Sequence, residues 1–317
     1  MKHLSQIALI MMLTILCYKV NGQGCSDAGF CTIINPPPAV DDSLNTTSEK
    51  NKINLSALYG KGDFNINIFS ASIAYRRTLS EKFAIDGKLG FQSTDGELGK
   101  ASGVNDAYLS FLYNSVKASH TSTVLLGIKI PVSDASETDN TAPLPDGISL
   151  PMPYQPGQGT WDIIAGYEYG WKNFSLSAGL QLPVNNGNKN NFLPPSYMFL
   201  EMLADKYLPT NEFERKADVL LRAKYSLQPK KGRLTFTGGI LPIYHLEDDS
   251  YADAAGVRHE ITGSKGLTLN LNLFVQYDIN GKSNLVLTLA APAVTRESRP
   301  DGLTREFVAA LDYNFKF

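Results

Sequence analysis

The chain has 317 residues, a formal net charge of -2 and a mean hydropathy of -0.15. Nucleic-acid-binding proteins usually carry a basic excess or a basic stripe, so this near-neutral balance argues against a nucleic-acid partner. The hydropathy excludes little, because a membrane wall of alternating apolar and polar residues averages to the same value as a soluble protein.

The first residues resemble an export signal. Lys2 and His3 precede an apolar stretch at 7–17, and small or polar residues follow up to Gln23. This pattern predicts a signal peptide at 1–22 that is cleaved before Gln23. The apolar core of roughly 11 residues is too short for a membrane-spanning helix, which needs about 20. A lipid anchor at Cys17 is the alternative.

Residues 23–50 are rich in Pro, Ser, Asn and Asp and show no sustained apolar period. We interpret them as an irregular periplasmic arm. Cys25 and Cys31 are separated by five residues in this arm. In an exported chain such a pair predicts a local disulfide, since a metal site would need more ligands and no histidine lies nearby. We therefore predict no metal site.

From residue 51 to 317, apolar side chains recur at every second position. The clearest run is Leu267, Leu269, Leu271, Leu273 and Val275, which alternates with polar residues. Strands of about nine to eleven residues cross a bilayer when they are tilted. About twelve such segments are present, an even number as single-chain bacterial barrels require. They are 52–60, 63–76, 82–92, 104–116, 121–132, 159–171, 173–184, 215–227, 232–245, 264–279, 283–294 and 303–317.

The connections support the same topology. Short turns, near 79–81, 118–120, 172–173, 228–231 and 280–282, alternate with longer loops near 93–103, 133–158, 185–214, 246–263 and 295–302. Outer-membrane barrels have short periplasmic turns and longer outer loops. The first loop, at Gly60 to Gly62, is unexpectedly short, and the alternation of the second segment slips between Ile68 and Phe69, which we interpret as a bulge.

The chain ends in alternating aromatic residues with Phe317 last, similar to the C-terminal signal read by the barrel-assembly machinery. A soluble β-sandwich is the alternative. The predicted fold class is all-β, a transmembrane antiparallel up-and-down barrel in the outer membrane of a Gram-negative cell. Its expected partners are outer-membrane lipid, the barrel-assembly machinery during biogenesis, and a small-molecule solute.

Charged residues are found at the alternate strand positions whose side chains are predicted to face the lumen. These pore-lining candidates are Asp86, Lys88, Asp106, Lys129, Asp162, Glu168, Asp218, Arg222, Lys224, Asp278, Asp312 and Lys316. Charges in a narrow lumen must be hydrated or paired, because a desolvated lone charge is costly. They form either a salt-bridged network that stiffens the wall or a polar conduit that selects solutes.

No catalytic constellation is evident. After the predicted signal peptide the histidines are His120, His245 and His259. His245 with the acidic residues at 247–249 faintly resembles the rim of barrel proteases, and a solvated loop is the simpler interpretation. We therefore predict that the chain is not an enzyme and binds no cofactor. Residues 196–207 have the spacing of a short helix, either packed on the outer rim or acting as a gate.

The run at 157–186 resembles the outer-membrane proteins of the MetA-pathway phenol-degradation family, related in class to channels for hydrophobic compounds. The matching residues are Gly157, Gly159, Thr160, Trp161 and Asp162 at the start of one strand, and Leu182 and Pro183 at the end of the next. The match covers about one hairpin. The resemblance implies uptake of small hydrophobic or aromatic compounds.

These observations predict a channel that passes small solutes by diffusion. A barrel of twelve strands is intermediate between filled eight-stranded barrels and wide porins, so strand number leaves the state of the lumen open. One alternative is a closed structural or adhesive barrel whose outer loops bind a partner. Another is a barrel enzyme that acts on lipid.

Overall fold

The computed structural model describes residues 49–140, 143–194, 206–229, 232–301 and 305–317. The predicted signal peptide, the Cys25–Cys31 disulfide and nearly all of the predicted arm lie outside the described residues, as does most of the predicted helix at 196–207. Within the described ranges, no helix is long and apolar enough to cross a membrane.

The described chain is almost entirely β-structure. Its strands, in chain order, are β1 (Asn51–Gly62), β2 (Asn67–Thr78), β3 (Phe83–Gly96), β4 (Gly99–Val104), β5 (Ala107–Lys117), β6 (His120–Ile130), β7 (Thr160–Trp171), β8 (Phe174–Asn186), β9 (Asp218–Leu227), β10 (Leu234–His245), β11 (Ser250–Ala252), β12 (Arg258–Glu260), β13 (Gly266–Asp278), β14 (Ser283–Val294) and β15 (Arg305–Lys316). Two one-turn 3-10 helices lie at Asp63–Asn65 and Met152–Tyr154.

The main sheet closes on itself. Each barrel strand pairs antiparallel with its sequence neighbour in the wall, and β1 pairs with β15 over the register Lys52↔Lys316 to Gly62↔Arg305. The sheet has 13 strands, but β4 and β5 pair with successive parts of β3 and so share one position in the wall. The result is a closed barrel of 12 strands, as the alternation predicts. Closure leaves no edge with unpaired backbone groups.

Two local predictions are wrong. The loop predicted at 93–103 is instead a continuation of β3 and β4, which stay paired up to Gly96↔Gly99. The bulge predicted between Ile68 and Phe69 is absent, since β1 and β2 pair in unbroken register from Asn67 to Arg77. The alternation breaks for another reason: Ile68 faces inward and is buried in an apolar cluster beneath the outer loops.

The outward-facing side chains form an apolar belt. Mid-strand residues such as Leu126, Leu221 and Ile73 are 57%, 51% and 50% exposed. Aromatic side chains flank them near both ends of the strands. Near the loop end are Tyr59, Phe69, Phe91, Trp161, Tyr244 and Phe307, and near the turn end are Tyr75, Phe83, Tyr169, Trp171, Tyr225 and Phe315. An apolar band between aromatic girdles is the outer surface of a transmembrane barrel.

Candidate functional site in the barrel lumen

The inner face of the barrel has two unlike halves. On β5 to β10 the inward side chains are mostly buried; we call this half the filled wall. On β13 to β15 and β1 to β3 the inward side chains are mostly small or polar and, below the outer rim, half-buried; we call this half the accessible wall. Side chains that face the lumen are therefore buried in one half of the barrel and partly accessible to solvent in the other.

Near the outer end of the filled wall, Lys129 is the centre of a buried ion cluster. Its side chain is 1% exposed, and its Nζ lies 3.0 Å from Asp162 Oδ2 and 3.5 Å from Asp106 Oδ2. The same Nζ donates hydrogen bonds to Gln158 Oε1 at 3.0 Å and Thr160 Oγ1 at 2.8 Å. Four polar partners therefore surround a lysine side chain that is buried inside the barrel.

The cluster continues into the outer loops through Arg215. This guanidinium contacts Asp218 closely and lies 3.8 Å from both Asp162 and Asp301. Arg296 then pairs with Asp301 at 2.6 Å. Burial favours neutral Asp301, but Arg296 and Arg215 outweigh it and hold its pKa below the usual range.

His245 completes this outer ion network, which comprises Asp106, Lys129, Asp162, Arg215, Asp218, His245, Asp249, Arg296 and Asp301. Its Nδ1 lies 2.7 Å from Asp218 Oδ1, and its Nε2 lies 2.8 Å from Asp249 Oδ1. Because each ring nitrogen contacts a carboxylate, neither faces a hydroxyl that it would activate as a base. Burial raises the pKa of Asp249, against the opposing effect of His245.

An apolar layer lies below the outer ion network, inside the barrel. Leu125 and Leu241 are fully buried, and they pack with Ala84, Leu112, Ile164 and Leu220. These residues point inward, away from lipid, because each alternates with an exposed outward neighbour. The layer fills the lumen beside β5 to β10 and separates two charged regions.

The second charged region lies toward the turn end. Glu168 accepts a hydrogen bond from Ser177 at 2.8 Å and lies 3.8 Å from the Lys224 ammonium. Arg222 is buried on the neighbouring inward position of β9. On the accessible wall, Arg76 and Asp86 form a two-pronged pair with bonds of 2.6 and 2.5 Å.

The accessible wall is organised in rungs, each a row of cross-strand partners on the inner face. The outermost complete rung is fully buried: Asn272, Ala290, Val308, Gly60, Ile68 and Thr94. Two residues further along each strand, five of the six members are half-buried: Phe274, Thr288, Ala310, Leu58 and Ser70. In the next rung all six are half-buried: Gln276, Val286, Asp312, Ser56, Ser72 and Gly90. Solvent access along this wall therefore stops within one rung of the outer mouth.

Residues 143–158 close that mouth. Tyr154 is fully buried among Ile66, Ile68 and Leu98. Its hydroxyl accepts from the Leu98 backbone N–H at 3.2 Å, and Thr94 Oγ1 donates to its carbonyl at 2.7 Å. The loop is therefore fixed to the top of β3 by both polar and apolar contacts.

A run of asparagines ties the neighbouring loops to this closure. Asn190 Nδ2 donates to the carbonyls of Ala135 and Leu150 at 2.9 and 2.8 Å, and Asn188 Nδ2 donates to Gln158 O at 2.9 Å. These bonds satisfy buried backbone groups that the loop has no strand partner to pair with. They make the outer loops one packed layer.

The strand start that carries the family resemblance lies at the junction of closure and network. Gly159 has a φ of 71°, and a Cβ there would be 2.8 Å from Asn188 Cα. Thr160 and Asp162 contact Lys129, while Trp161 faces outward and is 41% exposed. The residues from Gly159 to Asp162 thus each have a local structural reason.

The structure brings some predicted residues together and separates others. Asp106, Lys129, Asp162 and Asp218 join the outer ion network, and Glu168, Arg222 and Lys224 lie together on the inner half of the filled wall. Asp86, Lys88, Asp278, Asp312 and Lys316 lie half-buried on the accessible wall. The solvated-loop interpretation is wrong for His245 and Asp249, which are 1% and 0% exposed because they are bound into the network.

Sequence reasoning missed Arg76, Arg215, Arg296 and Asp301. The first faces the lumen by strand parity and was detectable, whereas the others lie in loops where no periodicity marks an inward residue. Among the described residues, no group of three or more His, Cys, Asp or Glu side chains is placed to hold a metal ion.

Comparison with solved structures places this geometry in context. An outer membrane channel from Pseudomonas putida F1 matches with a TM-score of 0.58 and 12% sequence identity, over 87% of this chain and 98% of that one. The chain therefore shares the β-barrel fold of that protein. The NanC porin and the KdgM porin match at TM-scores of 0.44 and 0.43, with 7% and 6% identity, over 84% of this chain and 98% and 99% of theirs. Those two scores are too low to support an argument.

No protein-family model matches the chain, and no curated protein matches it. The phenol-degradation resemblance consequently stays a prediction. What the structural likeness adds is the fold, which agrees with the closed barrel and its apolar belt.

Proposed function

We propose that the protein is a passive channel for small solutes in the outer membrane. The observation that carries this proposal is the accessible wall: half-buried small and polar side chains inside a closed barrel whose exterior is apolar. A closed barrel with no solute to pass would have no need to keep the inner face of six strands accessible. We further propose that Asp86, Lys88, Asp278, Asp312 and Lys316 contact the solute.

The solute class, the processing of the N-terminal segment and the assembly partner are proposals as well. The family resemblance supports hydrophobic or aromatic solutes, such as small phenols. Cleavage before Gln23, the periplasmic arm and the Cys25–Cys31 disulfide are supported only by the sequence, and so is recognition by the barrel-assembly machinery.

A liposome-swelling assay with the full mature chain tests the proposal. Vesicles that contain folded protein should swell in small neutral solutes at rates that fall with solute size, and vesicles with heat-unfolded protein should not. Phenol uptake, measured in the same vesicles by fluorescence, tests the aromatic class separately. Swelling no faster than in the unfolded control, with the barrel folded, would contradict the channel proposal.

A closed barrel that binds a partner is the second candidate, and one observation favours it. The outer loops form a packed layer over a completely buried rung. Absence of flux for every solute, together with saturable binding of a partner to the outer loops, would support that alternative.

A further inference from the structure

The two walls leave unequal room for a solute. Inward positions on the filled wall are mostly buried whatever their size, among them Leu125, Leu220 and Ser177. Inward positions on β1 and β2 carry Ser56 and Ser72, which face each other in register. Because all these side chains project into one lumen, the remaining space must lie beside the half-buried residues of the accessible wall.

We propose that the solute route runs off the barrel axis, along the accessible wall, and that it takes small hydrated polar solutes rather than the hydrophobic or aromatic compounds that the family resemblance implies. This inference rests on the proposed function and specifies its path and its solute class. The outer ion network and the apolar layer then stabilise β5 to β10 and do not line the route. The route ends at the buried rung beneath residues 143–158, which must shift for a solute to cross.

The chemistry of the lining supports the solute class. The hydroxyl- or amide-bearing side chains of Ser56, Ser70, Ser72 and Gln276 are half-buried along the route. A hydrocarbon pressed against such groups would strip them of water without replacing the hydrogen bonds, which is unfavourable. A solute with its own hydroxyl groups replaces those bonds. The Arg76–Asp86 pair near the inner end is mutually neutralised, so it imposes little net charge on the path.

Cysteine substitution tests the path directly. Ser72→Cys lies on the accessible wall, and Ser177→Cys is its matched control, since Ser177 also faces inward at mid-strand but is 1% exposed on the filled wall. A charged thiol reagent applied to the folded barrel should modify Ser72→Cys at least tenfold faster than Ser177→Cys. The parent mature chain, treated identically, gives the background from Cys25 and Cys31.

The outcomes separate this inference from the proposed function. Equal modification of the two variants, or faster modification of Ser177→Cys, overturns the off-axis route even if the protein conducts. If the protein passes no solute but still shows the tenfold difference, the channel proposal is refuted, while the accessibility of this wall is confirmed. If Ser72→Cys fails to fold, Ser56→Cys on the facing strand replaces it.

The solute class has its own test. The measured quantity is the protein-dependent rate, which is the rate in vesicles with folded protein minus the rate in protein-free vesicles. We expect this rate to be at least fivefold higher for uptake of a neutral polyol such as erythritol than for release of toluene from loaded vesicles. After treatment with the thiol reagent, Ser72→Cys should lose most of the polyol flux. Ser177→Cys, treated in the same way, should keep it. Polyol flux unchanged by modification at Ser72→Cys would overturn the proposed route.

Discussion

Lys129→Met provides the sharpest test of the outer ion network. The substitution keeps an unbranched side chain of similar length but removes the ammonium that lies 3.0 Å from Asp162 and 3.5 Å from Asp106. Two carboxylates would then share a buried site with one fewer cation. Removing one partner of a buried ion pair costs about 3–5 kcal/mol, and we expect the free energy of unfolding to fall by that amount.

Denaturant unfolding in lipid vesicles measures the change. Both tryptophans of the chain, Trp161 and Trp171, lie on β7, the strand that carries Asp162, so their fluorescence reports on the affected strand. Lys100→Met is the control: its pair with Asp95 is also 3.0 Å long but 73% and 52% exposed, so its loss should cost less than about 1 kcal/mol.

A second substitution distinguishes ion pairing from loss of packing. Adding Asp162→Asn to Lys129→Met removes the stranded charge and should restore at least half of the lost stability. If Lys129→Met costs no more than the Lys100→Met control, the cluster does not stabilise the barrel and the reasoning is wrong.

Three further predictions follow from the same structure. Gly159→Ala should destabilise the fold by about 1–3 kcal/mol in denaturant unfolding, because its φ is 71° and the new Cβ would meet Asn188; an unchanged midpoint would refute that packing. Leu221→Arg places a charge on the apolar belt and should cost about 2–4 kcal/mol in vesicles, and a neutral result would mean that this face is not in lipid. Asp301 has a lowered pKa, since Arg296 and Arg215 outweigh the effect of burial, so its ionised form contributes stability above the usual value of 3.8 that is lost as the pH falls through its folded pKa. Asp301→Asn should therefore be less stable than the parent at pH 7 by about 3 kcal/mol, with a difference that shrinks below about pH 4; a difference independent of pH would contradict the pairing.

The barrel was predictable because lipid imposes a strict rule on one face of every strand. A residue such as Leu221 or Leu126 must be apolar whatever its neighbours are, so alternation shows directly in the sequence. The extension of β3 and β4 was not predictable in this way. Residues 93–103 are rich in glycine and polar residues because they lie beyond the apolar belt, and they contact Tyr154, which is distant in sequence.

The inner face was only partly predictable. Parity identified Lys129 and Asp162 as inward, but it did not show whether they would be hydrated or paired. The apolar layer had a usable signal, since Ile163–Ile164 and Leu220–Leu221 place apolar residues on both faces of a strand. The loop contributions of Arg215 and Arg296 depend on long-range folding and leave no local pattern.

Single-channel recording of the full mature chain in a planar bilayer tests the central claim most directly. The account predicts discrete current steps from folded barrels, reduced when a charged thiol reagent modifies Ser72→Cys and unchanged when it is applied to Ser177→Cys. A bilayer that contains verified folded protein and yet stays electrically silent under all voltages applied would contradict the claim that solutes cross this barrel.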